Sequence, residues 1–196
     1  IKTQGTKPIV IQTLTDKKYQ FGLFSADNFS DPLYGESVFR GMNFTGIPLN
    51  AEDSADVQTI SAWSEWAKAQ GKSPWFSFIE LTTLNNFNAY ERATKNQSSE
   101  DTLKAGYKKS AQKADEELAA LFTEIDALGI KDSTIVIITS NHGTEFNETN
   151  TNSWGANTNY SRYQLQVPMV IHWPGKIASE YQHRTSHLDL SVTLLQ

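Results

Sequence analysis

An amide and an imidazole side by side at the end of an apolar run are the residues of this chain best placed to do chemistry. Ser133-Thr134-Ile135-Val136-Ile137-Ile138-Thr139-Ser140 leads into Asn141, His142 and Gly143. The β-branched run predicts a strand buried on both faces, as in a parallel sheet. Ligands of open α/β sheets gather at the carboxyl ends of such strands. His142 is a competent metal ligand, whereas Asn141 supplies only a carbonyl oxygen. Gly143 lets the backbone turn sharply or approach a ligand closely.

Other chemistry-bearing residues have quieter readings. His187 lies in Ser-His-Leu-Asp just before a helix, where Asp189 favours the helix N-terminus through the dipole. His172 stands amid Val, Met, Ile and Trp and reads as a packed strand residue, and His183 beside Arg184 as solvated surface. Asp115, Glu116 and Glu117 read as a solvated helix face rather than an acid–base pair. Trp63 and Trp66 read as core. Trp154, in a polar loop, either touches a ligand or lipid or packs over a pocket.

The elements that must position these residues alternate in type. Pro8–Leu14 and Tyr19–Phe24 read as short strands. Loop-rich sequence follows, with turn signals at Asp31-Pro32, Gly41 and Gly46. A helix capped by Asp53 or Ser54 runs to Gln70 and stops at Gly71, with Val57, Ile60, Trp63 and Ala67 at helical spacing. Pro74–Leu81 is a strand. A long helix spans Glu100 to Leu128, with Leu103, Tyr107, Ala111, Ala114, Leu118, Leu121, Ile125 and Leu128 on one stripe. Ser98 and Asp101 form a candidate capping pair and Gly129 the stop. Asn141–Arg162 is a polar loop long enough to be functional or disordered. Val167–Trp173 is a further strand, and Ser186–Gln196 begins an amphipathic helix. Strands alternating with amphipathic helices give the α/β class.

Composition narrows the partners. The chain has 196 residues, 38% hydrophobic and 20% charged, and a net charge of −5. Its mean hydropathy is −0.47 and its pI 5.4. These values describe a folded globular domain and exclude disorder as the general state. The acidic balance, with no basic stripe, argues against nucleic acid. There is no Cys, so disulfides and thiolate metal sites are excluded within these residues. Asn28, Asn43, Asn96, Asn147 and Asn159 open Asn-x-Ser/Thr sequons, which matter only in a glycosylating pathway. Ile1 opens without Met and Gln196 closes within a helical pattern, so a piece of a longer protein is expected.

Taken in order, the long helix, the Thr-Ser-Asn-His-Gly strand end, the polar loop, Val167-Pro168-Met169-Val170-Ile171-His172-Trp173-Pro174-Gly175 and Ser186-His187-Leu188-Asp189-Leu190-Ser191-Val192-Thr193-Leu194-Leu195 resemble the sulfatase branch of the alkaline phosphatase superfamily. Gly22-Leu23-Phe24-Ser25 with Ser30-Asp31-Pro32-Leu33-Tyr34, and Leu165–Gly175 above all, are similar to a group of inner-membrane proteins of Gram-negative bacteria with a sulfatase-like periplasmic domain. The resemblance implies a three-layer α/β fold, a mostly parallel central sheet flanked by helices. Residues 1–196 would then be a partial periplasmic domain, lacking the nucleophile-bearing N-terminal part and the transmembrane region.

The same resemblance exposes departures from working chemistry. The family hydrolyses or transfers sulfate and phosphate esters with an activated nucleophile and a divalent metal (Ca, Mg, Mn or Zn). Its nucleophile motif, Cys/Ser-x-Pro-x-Arg, is absent here. Its Asp-His or Asp-Asn metal pair is replaced by Asn141-His142, which removes a negative charge and leaves a poorer ligand for a hard cation. Its sulfate-binding Gly-Lys-Trp-His corresponds to Phe24-Ser25-Ala26-Asp27, with neither Lys nor His. Asn141 and His142 are therefore vestigial metal candidates, with His187 a weaker one, and no catalytic residue is assigned. Two functions follow. One is a non-catalytic domain on the periplasmic face of the inner membrane, which by resemblance binds lipopolysaccharide or cardiolipin and regulatory membrane proteins. The other is a metal-dependent sulfuric or phosphoric ester hydrolase or transferase completed by residues outside this chain.

Overall fold

The computed structural model describes residues 7–27, 54–84 and 100–195, with positions 29, 34, 38–42, 44, 47, 49 and 50 between them. Asp53, Ser98, Asp31-Pro32, Gly46 and the sequons at Asn28, Asn43 and Asn96 lie outside the described residues. The elements run α1 (Ile9–Asp16), β1 (Gln20–Ser25), α2 (Ala55–Gln70), β2 (Trp75–Glu80), α3 (Glu100–Ala127), a 3-10 turn (Lys131–Ser133), β3 (Val136–Thr139), β4 (Glu145–Phe146), β5 (Trp154–Gly155), α4 (Arg162–Leu165), β6 (Met169–His172) and α5 (His187–Leu195). They fall into two compact units. The first holds residues 1–82, 117–121 and 179–196, and the second 83–116 and 122–178.

In the first unit β1 and β2 pair in parallel, from Gln20 opposite Trp75 to Ser25 opposite Glu80. The connection between them carries α2, as a parallel pair requires. Ser54 caps α2 by accepting from Val57 N–H at 3.2 Å, and Gly71 ends it with a φ of 60°. The helix buries Ile60, Trp63 and Ala67. Trp63 Nε1 donates to Ser77 Oγ at 3.0 Å, and Trp66 stands edge-on to Phe24 and Trp75. Gly22 makes this packing possible, because a Cβ there would stand 2.9 Å from the Trp66 ring. On another side Ile11, Leu23, Phe29 and Phe39 form a buried cluster with Phe21, Tyr34 and Phe78 against it.

Two expectations fail in this unit. Pro8–Leu14 is not a strand: Ile9–Asp16 is helix, with Pro8 at its cap. The β-branched residues Ile9, Val10, Ile11 and Thr13 favour strand locally, but the segment has no pairing partner among the described residues. It instead buries Ile11 while Ile9 stays 64% exposed. Packing of one face overrides propensity. Glu117 is not part of a solvated face either. Asp115 and Glu116 are exposed, but Glu117 is buried and its Oε1 accepts from Ser54 Oγ at 3.0 Å. A carboxylate can be buried there because the hydroxyl that caps α2 also donates to it.

In the second unit the stripe on α3 is as spaced. Leu103 and Ile125 are buried, and Leu103 joins Phe146, Tyr107 and Trp154 in one cluster. β3 pairs with β6, but antiparallel, from Val136 opposite His172 to Thr139 opposite Met169. The burial of β3 on both faces expected from its apolar run is not found: three positions are half-buried and Thr139 is exposed. An antiparallel pair tolerates one solvated side, and in β6 Val170 is 58% exposed. His172 is the packed strand residue expected, edge-on to Phe122 with Nε2 3.3 Å from Lys131 O.

Candidate functional site

The strand end at β3 is built from backbone-directed hydrogen bonds. Ser140 Oγ donates to His142 O at 2.7 Å, and Asn141 Oδ1 accepts from His142 N–H at 3.0 Å. The one ligand oxygen of Asn141 is thus turned onto the neighbouring backbone. His142 Nδ1 lies 2.9 Å from Gly143 O. A carbonyl can only accept, so Nδ1 carries the proton, and Nε2 of the neutral ring keeps its lone pair. Asn141 and His142 are both exposed.

Gly143 is required by packing. Its N–H donates to Gln164 O at 2.8 Å, and a Cβ would stand 2.2 Å from Tyr163 O. Its φ is not in the left-handed region, so the close approach of two backbones, not a special turn, demands the missing side chain.

The stretch after Gly143 is ordered around a buried carboxylate that the sequence reading missed. Glu145 is fully buried. Oε2 accepts from Ser161 Oγ at 2.6 Å and from Gln164 Nε2 at 2.9 Å. Oε1 accepts from Thr149 N–H at 3.3 Å and from the Thr149 hydroxyl. Burial pushes the Glu145 carboxyl upward, but hydrogen bonds from Ser161, Thr149, Gln164 and Asn159 outweigh it and hold the pKa at about 2. Gln164 also meets Thr158 and Asn159. Through it Glu145 is connected to the carbonyl that anchors Gly143. The only sequence signal was the density of Ser, Thr, Asn and Gln between 144 and 164. Much of the Asn in it has a backbone reason: Asn147, Asn150, Asn152 and Asn157 all have φ between 56° and 62°.

Trp154 pairs with Phe146 across the β4–β5 hairpin and packs in the Leu103 cluster, with Nε1 donating to Asn152 Oδ1 at 3.1 Å. His187 opens α5 in the first unit, exposed. There Ser186 N–H donates to Asp189 Oδ2 at 2.6 Å and Leu188 N–H to Ser186 Oγ at 3.2 Å, so Asp189 does support the helix start. His142 and His187 belong to different units. No group of three or more His, Cys, Asp or Glu that could hold a metal ion occurs among the described residues. One imidazole and one turned-away amide do not fit a divalent cation, which needs several oxygen or nitrogen donors.

No described helix is long and apolar enough to cross a membrane. Comparison with known proteins agrees with the order of motifs. The chain is 31% identical over 194 residues to inner membrane protein YejM of Salmonella typhi, covering 97% of this chain and 30% of that protein. The YejM of Salmonella typhimurium strain LT2 matches equally well, again with 31% identity and 30% of its length. The chain therefore spans about a third of the length of these relatives. The lipoteichoic acid synthase LtaP of Listeria monocytogenes has a similar fold, with a TM-score of 0.62 and 16% identity over 89% of this chain and 48% of that one. The family model for sulfatases matches residues 3–196, and the chain belongs to the sulfatase family.

Proposed function

We propose that this chain is part of a degenerate, non-catalytic sulfatase-family domain of an inner-membrane protein. It would lie on the periplasmic face, where it takes part in outer-membrane lipid homeostasis by binding lipid (lipopolysaccharide or cardiolipin) and regulatory membrane proteins. The observation that carries the non-catalytic reading is the strand end itself. Asn141 stands where the family resemblance calls for a carboxylate, and its uncharged Oδ1 accepts from His142 N–H. Membrane placement and lipid are supported by the similarity to YejM, named an inner membrane protein, and by the resemblance.

A second reading, a metal-dependent hydrolase or transferase of sulfuric or phosphoric esters, draws on one feature. The Nδ1 contact of His142 leaves Nε2 able to ligate. Turnover decides between them. The complete periplasmic domain, supplied with divalent metal, is assayed on sulfate and phosphate esters beside its His142→Ala variant. Equal, background-level rates support the non-catalytic reading. Turnover that His142→Ala abolishes establishes the enzyme.

A further inference from the structure

The first unit carries a second constellation, at the carboxyl ends of its parallel strands. Ser25 ends β1, Glu80 ends β2, and the register sets them opposite each other. Ser25 is buried. Its Oγ lies 2.6 Å from Asp27 Oδ1 and 2.8 Å from Glu80 Oε2, and accepts from Asp27 N–H at 3.4 Å. Both carboxyl contacts are at hydrogen-bond distance, yet a serine hydroxyl has one proton to give. It can satisfy one carboxylate. The other contact would set two electron-rich oxygens together unless that carboxyl carries a proton of its own.

The remaining bonds say which carboxyl that is. Asp27 Oδ1 also accepts from Phe29 N–H at 3.0 Å, which suits an ionised group. Tyr34 O–H donates to Glu80 Oε1 at 3.2 Å, which leaves Oε2 to carry a hydrogen. We propose that Glu80, Ser25 and Asp27 form a proton-binding site. Glu80 Oε2–H donates to Ser25 Oγ, whose own hydrogen goes to Asp27 Oδ1.

The surroundings favour the bound proton. Burial raises the pKa of Glu80 above the ordinary 4.5; Ser25 pulls it down, Asp27 pushes it up, Tyr34 pulls it down and Asp56 pushes it up. The charged groups facing Glu80 among the described residues are thus both carboxylates. Asp56 is itself buried, with Oδ1 and Oδ2 2.8 and 2.7 Å from Thr82 N–H. Once the proton leaves, Ser25 can hold only one of its two carboxylates, and the strand ends gain a negative charge. A raised acid contributes stability that is complete below 4.5 and is lost as pH rises through its folded value.

The test is a carbon-13 NMR titration of the Glu80 carboxyl in the whole chain, wild type and Asp27→Asn, with melting curves of wild type and Glu80→Gln across the same pH range. The expected results are a Glu80 midpoint above 4.5, a lower midpoint in Asp27→Asn, and a wild-type melting temperature that falls relative to Glu80→Gln as pH rises. A wild-type midpoint at or below 4.5, or one that Asp27→Asn leaves in place, overturns the proposal. If Glu80→Gln does not fold, the titration alone decides.

Discussion

Replacing Gly143 by Ala is a direct probe of how the strand end is held. The added Cβ would stand 2.2 Å from Tyr163 O, 3.1 Å from Tyr163 C and 3.3 Å from Gln166 O. Comfortable contacts between heavy atoms lie at about 3.5 Å and beyond, so the two backbones must part by about 1 Å. No side-chain rotation relieves the contact, because its nearest atoms are main chain. Parting them stretches the 2.8 Å bond from Gly143 N–H to Gln164 O. Overpacking costs about 1–3 kcal/mol and the lost hydrogen bond about 1 kcal/mol more, so a loss of about 2–4 kcal/mol is expected. That is a large share of the ~5–15 kcal/mol that holds a typical domain together. The assay is urea unfolding at equilibrium, with midpoint and slope both read. Gly175→Ala is the control: its φ is 74° and nothing stands within 4 Å of a Cβ there, so it costs backbone strain without a clash. A Gly143→Ala loss below about 1 kcal/mol, smaller than an ordinary core overpacking, would refute the close-approach argument, as would a loss no larger than the control's.

Glu145 should set the acid limb of stability. Its carboxyl is depressed from 4.5 to about 2, so its contribution is present above 4.5 and lost as pH falls through about 2. Melting curves of Glu145→Gln should be flatter than wild type across that window, and an unchanged slope would speak against the network. Ser54→Ala removes the cap of α2 and one donor to buried Glu117. The cap alone is worth about 1 kcal/mol. A double-mutant cycle with Glu117→Gln should show non-additivity, because the two side chains are in contact; strict additivity would mean the contact contributes nothing.

The parts of the fold written in local pattern were legible. The cap at Asp53 or Ser54, the stop at Gly71 and the stripe from Leu103 to Leu128 announce their helices because each depends on residues a turn apart. The helix at Ile9–Asp16 did not announce itself, since its β-branched composition says strand and only the burial of Ile11 decides otherwise. The antiparallel β3–β6 pair was hidden for a related reason. An apolar run suggests a strand but shows neither which neighbour pairs with it nor how much of it is buried. Asn141 and His142 stood out as candidates because strand, polar pair and glycine are contiguous. Glu145 and the Ser25–Glu80 pair were not, since their meaning comes from partners as far apart as Gln164 and from strand register, neither of which leaves a periodic mark.

In the proposed function the strand end at Asn141-His142 has lost its metal chemistry with the loss of one carboxylate. Calorimetric titration of the complete periplasmic domain with divalent metal, beside Asn141→Asp and His142→Ala, tests it most directly. No stoichiometric binding that depends on His142 is expected in the wild type, and a gain of affinity is expected in Asn141→Asp. One equivalent bound by the wild type and lost in His142→Ala would contradict it.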